Sequence, residues 1–171
     1  MSNRKTHKAL SHKLSLAVQY ASDPQHLPTR AQLRRWVKAA LQRDAAMTIR
    51  IVDEAEGLEL NKIYRGKSYA TNVLTFVYDD ADAVAGNADF LYGDVVICAP
   101  VVEKEARDQH KNLMAHYTHL AIHATLHLQG YDHENEADAE VMETLETAIM
   151  LKLHQPDPYQ EIRTTHGRPG K

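Results

Sequence analysis

Between residues 123 and 133 the chain carries three histidines and a glycine whose order suits a metal ion: His123, His127, Gly130 and His133. Residues four apart on a helix lie on one face a turn apart, so the imidazoles of His123 and His127 converge. Gly130 tolerates a left-handed backbone just past the helix end, which folds the chain back and offers His133 as a third ligand. Three neutral imidazoles with an open fourth position are the ligand set of a catalytic zinc, one ion per chain, and such an ion lowers the pKa of a bound water to about 7. His116 and His119 share the helix face, but as ligands they would stretch the set along a straight helix. That fits a tetrahedral ion poorly, and they are read as non-ligands.

The spacing H-x3-H-x2-G-x2-H resembles that of the metzincin proteases, in which the residue after the first histidine is the glutamate that acts as general base. Here that residue is Ala124. A peptidase mechanism loses its proton acceptor while the metal geometry survives. A purely structural zinc needs a fourth protein ligand, and no cysteine is near to supply it. The single cysteine, Cys98, lies in the apolar run Val95–Ala99 and reads as a buried thiol outside any disulfide framework.

Further motifs accompany the triad. Glu134, Ala137–Glu140, Met142 and Glu143 follow it, and Leu60–Lys67, Thr71–Phe76 and Gly93–Ile97 precede it. Together they closely resemble the bacterial YbeY family across about residues 47–153, whereas the first 45 residues and the segment after His154 add nothing to the likeness. The resemblance implies an α+β fold and a zinc-dependent, single-strand-specific endoribonuclease. It also implies a role in rRNA maturation, notably at the 3′ end of the small-subunit RNA, and in ribosome quality control. It further implies a three-histidine zinc site and an essential arginine at the position of Arg65.

The residues agree with that chemistry. Phosphodiester cleavage needs an activated oxygen nucleophile and stabilisation of the charge that builds on phosphorus. Zinc serves the first need, and the planar guanidinium of Arg65 suits the second because it pairs with two phosphate oxygens at once. Asp132 and Glu134 flank His133 and are candidates to accept a proton or to hold an imidazole. Two rival readings stay open: a zinc hydrolase of peptide or ester bonds, and a non-catalytic ribosome assembly factor with structural zinc.

These groups need elements to position them. Leu14, Leu16, Val18 and Tyr20 alternate as in a strand, and Leu33, Trp36, Val37, Ala40 and Leu41 recur as on an amphipathic helix over Thr29–Arg43. Met47–Asp53 reads as a strand followed by a short helix through Leu58, Leu60, Ile63 and Tyr64. Asn72–Tyr78 and Tyr92–Ala99 read as strands joined by the acidic loop Asp79–Asp89. Helical periodicity then runs from Pro100 to Gln129 with a break near His110–Asn112, and Gly130 ends it. A last helix, Asn135–Leu153, is expected to bury Val141, Met142, Leu145, Ala148 and Ile149 and to expose its acids as a solvent or protein-partner face. The expectation is a single α+β domain over residues 1–153, built on a mixed sheet of about four strands packed with helices and a metzincin-like histidine helix and turn. Residues 154–171 are expected to form a frayed polar tail.

The formal charge of −3 conceals a split, for residues 1–67 carry 13 Lys and Arg against 6 Asp and Glu, whereas residues 68–171 carry 7 against 17. The basic part contains Arg65, flanked by Lys62 and Lys67, and a helical stripe of Arg30, Arg34 and Lys38. These are the candidate RNA contacts, with Tyr64 and Tyr69 as candidates for stacking on bases, and the stripe is expected to fold against the rim of the histidine site. No apolar stretch approaches the ~20 residues of a membrane span, and no signal peptide is visible. A cytoplasmic location is expected. The expected partners are single-stranded rRNA and the small ribosomal subunit, with its proteins or an assembly GTPase.

Overall fold

The computed structural model describes residues 11–23, 25–78 and 90–160. The order of elements is β1 (Leu14–Ala21), α1 (Arg30–Ala40), β2 (Ala45–Val52), α2 (Glu54–Arg65), β3 (Val73–Val77), β4 (Leu91–Cys98), α3 (Ala99–Asp108), α4 (Leu113–Leu128) and α5 (Glu136–Lys152). The expected α+β class with a four-stranded mixed sheet is what forms. The strands lie in the order β1-β2-β4-β3. β1, β2 and β4 run parallel, with Leu14 beside Ala45 and Ala45 beside Leu91, and β3 closes the far edge antiparallel to β4, pairing Val73 with Ile97.

Apolar alternation explains how the sheet is covered. In β2 the side chains of Ala45, Met47, Ile49 and Ile51 are buried on one face, where α1 contributes Leu33, Trp36 and Val37 and α4 contributes Tyr117, Leu120, Ala124 and Leu128. α1 starts at Thr29, whose side chain accepts from the Gln32 amide at 3.1 Å while the Gln32 side chain accepts from the Thr29 amide at 2.9 Å. Such a reciprocal cap is worth about 1 kcal/mol. A smaller cluster of Val52, Leu74, Val96 and Cys98 lies against Leu60 and Ala70. The thiol of Cys98 is buried and unpaired with any other, as the sequence suggested.

α4 is the central rod of the molecule. Its Ile122 and Leu126 pack on Met142 and Met150 of α5, so it is covered on opposite sides by the sheet and by α5. A Cβ at Gly93 would stand 3.0 Å from both methyls of Leu128, so β4 and the last turn of α4 meet with no room for a side chain between them. That close approach sets the histidine-bearing end of α4 near β3, the neighbour of β4. The expected break in the long helical segment falls between α3 and α4, where His110 adopts φ 55°.

One expectation about the C-terminal helix is corrected. On α5 the buried face is Met142, Glu146 and Met150, whereas Val141 is 53% exposed and Ala148 is also exposed, because the helix is turned so that one acid points inward. Residues just past α5 make contacts with the rest of the domain. Lys111 Nζ donates to the Pro158 carbonyl at 3.1 Å, and the Tyr159 hydroxyl donates to Glu146. Residues 161–171, like the loop expected at 79–89, lie outside the described residues. No helix among the described residues is long and apolar enough to cross a membrane.

Candidate active site

An open cleft of about 740 Å³ separates the edge strand β3 from the end of α4. Its walls include Tyr64 and Arg65 from the end of α2, Asn72–Phe76, His123 and His127 from α4, and Asp132, His133 and Glu134 from the following loop. Arg65 and the three histidines, distant in sequence, therefore face one space.

Local structure accounts for the triad. His123 and His127 project from successive turns with their rings 6.3 Å apart and nearly parallel, at 5°. Past the helix end Gly130 takes φ 104°, a conformation that costs a side-chain-bearing residue about 1–3 kcal/mol. The reversal is tied down by Tyr131 N–H to the Leu126 carbonyl at 3.2 Å, and by the Gln129 side chain, which accepts from the Gln42 amide at 2.7 Å and donates to the Ala40 carbonyl at 2.9 Å. His133 thereby returns to within 5.3 Å of the His123 ring and 6.4 Å of the His127 ring.

For His123 and His127 the second ring nitrogen is also accounted for. His127 Nδ1 lies 3.0 Å from the Tyr131 carbonyl oxygen, which can only accept, so Nδ1 carries the proton and the Nε2 lone pair is left available. His123 Nδ1 donates to Glu146 Oε2 at 2.5 Å with the same result. Glu146 is 0% exposed, and its other oxygen accepts from His119 Nε2 at 2.9 Å and from the Tyr159 hydroxyl. Burial alone would push this carboxyl up, but the bonds from His119 and His123 outweigh it and hold the group at about 2, so it is ionised at neutral pH. Burial and the bond to Glu146 push the Tyr159 phenol up, so it stays protonated and serves as a donor.

His116 and His119 are occupied elsewhere. His116 Nε2 donates to Glu105 Oε1 at 2.9 Å, and the same carboxylate receives Asn72 Nδ2 at 3.1 Å, which steadies a residue of the cleft wall. Asp132 Oδ1 accepts from the His133 amide at 2.7 Å, a contact made within the loop and not with an imidazole. The carboxylate that does hold one is Glu146, which the sequence reading missed. Its signal was the spacing of Met142, Glu146 and Met150, which puts an acid in the middle of an apolar stripe.

The basic stripe does not join the cleft. Arg30 Nη2 donates to the Val18 carbonyl at 3.2 Å and stands over the Tyr20 ring at 4.9 Å, and Arg34 Nη1 donates to the Leu14 carbonyl at 2.9 Å. Both guanidiniums cover the open edge of β1, at the opposite side of the sheet from β3, so the expected placement of the stripe is corrected. Lys38 is exposed on α1, and Lys62 and Lys67 are exposed on either side of Arg65 in the sequence; none of the three lines the cleft wall.

Among the described residues no three His, Cys, Asp or Glu side chains are already gathered tightly enough to grip an ion. Three imidazoles on one tetrahedral ion stand about 5 Å apart, centre to centre. The His123–His133 spacing of 5.3 Å meets that distance, and the two spacings to His127 of 6.3 and 6.4 Å exceed it by about 1 Å.

An α+β domain whose cleft opposes an imidazole triad to an exposed guanidinium defines a hydrolase suited to an anionic ester. Residues 18–154 match the profile of the family described as Endoribonuclease YbeY. The chain is 57% identical to the Endoribonuclease YbeY of Thiobacillus denitrificans, covering 86% of this chain and 97% of the relative. It is 55% identical to that of Nitrosospira multiformis, covering 86% and 82%, and 54% identical to that of Chromobacterium violaceum, covering 89% and 91%. The solution structure of TM1509 from Thermotoga maritima aligns over 90% of this chain and 99% of that chain at 23% identity, with a TM-score of 0.46. This chain belongs to the Endoribonuclease YbeY family and is a hydrolase of RNA phosphodiester bonds.

Proposed function

We propose that the chain is a zinc-dependent endoribonuclease of single-stranded rRNA that matures the 3′ end of the small-subunit RNA and serves ribosome quality control in the cytoplasm. Its partners in this reading are the small ribosomal subunit and its proteins or an assembly GTPase. The observation that carries it is the shared cleft of Arg65, His123, His127 and His133.

The donor set fits zinc: two histidines have their Nδ1 protons committed to Glu146 and to the Tyr131 carbonyl, which aims the Nε2 lone pairs outward as ligand nitrogens. His123, His127 and His133 would hold the ion after a ring adjustment of about 1 Å at His127. When bound, zinc supplies Lewis-acid chemistry and makes an oxygen nucleophile available near neutral pH. Arg65 pairs with the non-bridging oxygens of the scissile phosphate and stabilises the charge that develops there. Glu134 offers a carboxylate in the cleft wall to accept the nucleophile's proton. Lys62 and Lys67, exposed near Arg65 but outside the cleft wall, would meet phosphates that flank the scissile one. A peptidase reading draws no support, since the residue after His123 is the fully buried Ala124.

The test assays the purified chain on single-stranded rRNA fragments and on casein, with chelator and with zinc restored, beside Arg65→Ala and His127→Ala. RNA cleavage that chelator abolishes and zinc restores is the expected result. Chelator-insensitive RNA cleavage, or full activity in His127→Ala, overturns it.

A further inference from the structure

The wall of the cleft contains one large exposed aromatic side chain, on the residue that precedes its arginine. Tyr64 is 62% exposed, lines the cleft and directly precedes Arg65 at the end of α2. Its ring lies edge-on to Phe76 of β3, with centroids 5.0 Å apart and planes at 67°. That contact fixes the ring across two elements and, being edge-on, covers at most one of its faces. Tyr69 is 59% exposed but is absent from the cleft wall, so exposure alone does not distinguish the two.

A nucleotide presents a phosphate and a flat π-surface on one sugar. Arg65 matches the first and the uncovered face of Tyr64 matches the second. We propose that Tyr64, braced by Phe76, is the platform on which an unpaired nucleobase flanking the scissile phosphate stacks. This rests on the reading of the cleft as the RNA-cutting site and deepens it by naming what selects the substrate. Inside a duplex both faces of a base are taken by its neighbours, so a stacking platform accepts only a base that has left the helix. Preference for single strands is then a property of one side chain and does not require contacts along a long groove. Stacking is also tolerant of base identity, because every base has a π-face, so the platform selects strandedness without reading sequence.

The experiment uses the full zinc-loaded chain and a single-stranded RNA oligonucleotide with the fluorescent base 2-aminopurine placed in turn on each side of the mapped cleavage position. Wild type and Tyr64→Phe are expected to quench the fluorescence on binding from one of the two sides. Tyr64→Leu is expected to lose the quenching and to raise KM about tenfold, while kcat stays within about threefold. Tyr69→Leu is expected to match wild type. Undiminished quenching and KM in Tyr64→Leu, with wild type cleaving normally, overturns the platform and leaves the nuclease reading standing. Wild-type protein that does not cleave the RNA overturns both. Should Tyr64→Leu lower the melting temperature, Tyr64→Phe still decides the point, because loss of quenching with the aromatic ring retained overturns the proposal.

Discussion

His123 on α4 donates from Nδ1 to Oε2 of Glu146 on α5 at 2.5 Å, while the other oxygen of the same carboxylate takes Nε2 of His119 at 2.9 Å. A fully buried acid on one helix thus sets the ring orientation and the proton position of a cleft imidazole on another. Replacing Glu146 with Gln keeps the shape and removes the charge. Zinc affinity, measured by competition against a chromogenic chelator, is expected to fall about 10- to 100-fold. Glu146→Ala is expected to lose about 3 kcal/mol of stability in urea unfolding, because it leaves buried donors without an acceptor.

Arg65 is exposed at the end of α2, so removing it costs little packing. Arg65→Ala is expected to lower kcat on RNA by about 10²- to 10³-fold with the melting temperature unchanged. Arg65→Lys is expected to recover only a small part, since an ammonium lacks the planar fork. A variant with wild-type kcat assigns Arg65 to the surface.

Gly130 sits at φ 104° with nothing within 4 Å of the position a Cβ would take, so a side chain there meets backbone strain and no clash. Gly130→Ala is expected to cost about 1–3 kcal/mol and to weaken zinc binding by displacing His133. Calorimetry with and without zinc separates the two effects, and an unchanged melting temperature would show that the turn does not need its glycine.

Burial pushes the Glu105 carboxyl up, but the bonds from His116 and Asn72 outweigh it and hold the group below its ordinary 4.5. A carboxyl with a folded pKa below its unfolded value contributes stability that is complete above the unfolded value and is lost as pH falls through the folded one. Stability measured in urea is therefore expected to decline on acidification below about pH 4.5, in the window this group titrates. Glu105→Gln is expected to flatten that limb, and a limb of unchanged slope would assign the decline to other carboxyls.

The triad was legible because all three histidines belong to one helix and the turn that ends it, so 3.6-residue periodicity and one positive-φ glycine suffice to bring them together. The elements were legible for the same local reason, from the alternation in β2 to the apolar periodicity of Leu33, Trp36, Val37 and Ala40 on α1. The stripe of Arg30 and Arg34 was misplaced because a periodic charge pattern says which helix face is polar and not what that face meets. Here it meets the unpaired carbonyls of an edge strand. The face of α5 was misassigned in the same way: Val141 and Glu146 exchange places relative to a hydrophobicity pattern because a buried carboxylate is tolerable where His119, His123 and Tyr159 satisfy it.

By itself, the sequence determined what short-range geometry dictates: the strands and helices, the paired imidazoles, the reversal at Gly130 and the likeness that marks Arg65. Only the tertiary structure decided which distant groups share a space. The pairing of β3 with β4 and the close packing of β4 against the end of α4 at Gly93 bring Arg65 and Tyr64 opposite the histidines. The docking of α5 delivers Glu146 behind them. These are contacts between elements far apart along the chain, set by which faces bury against one another, and no local periodicity encodes that choice.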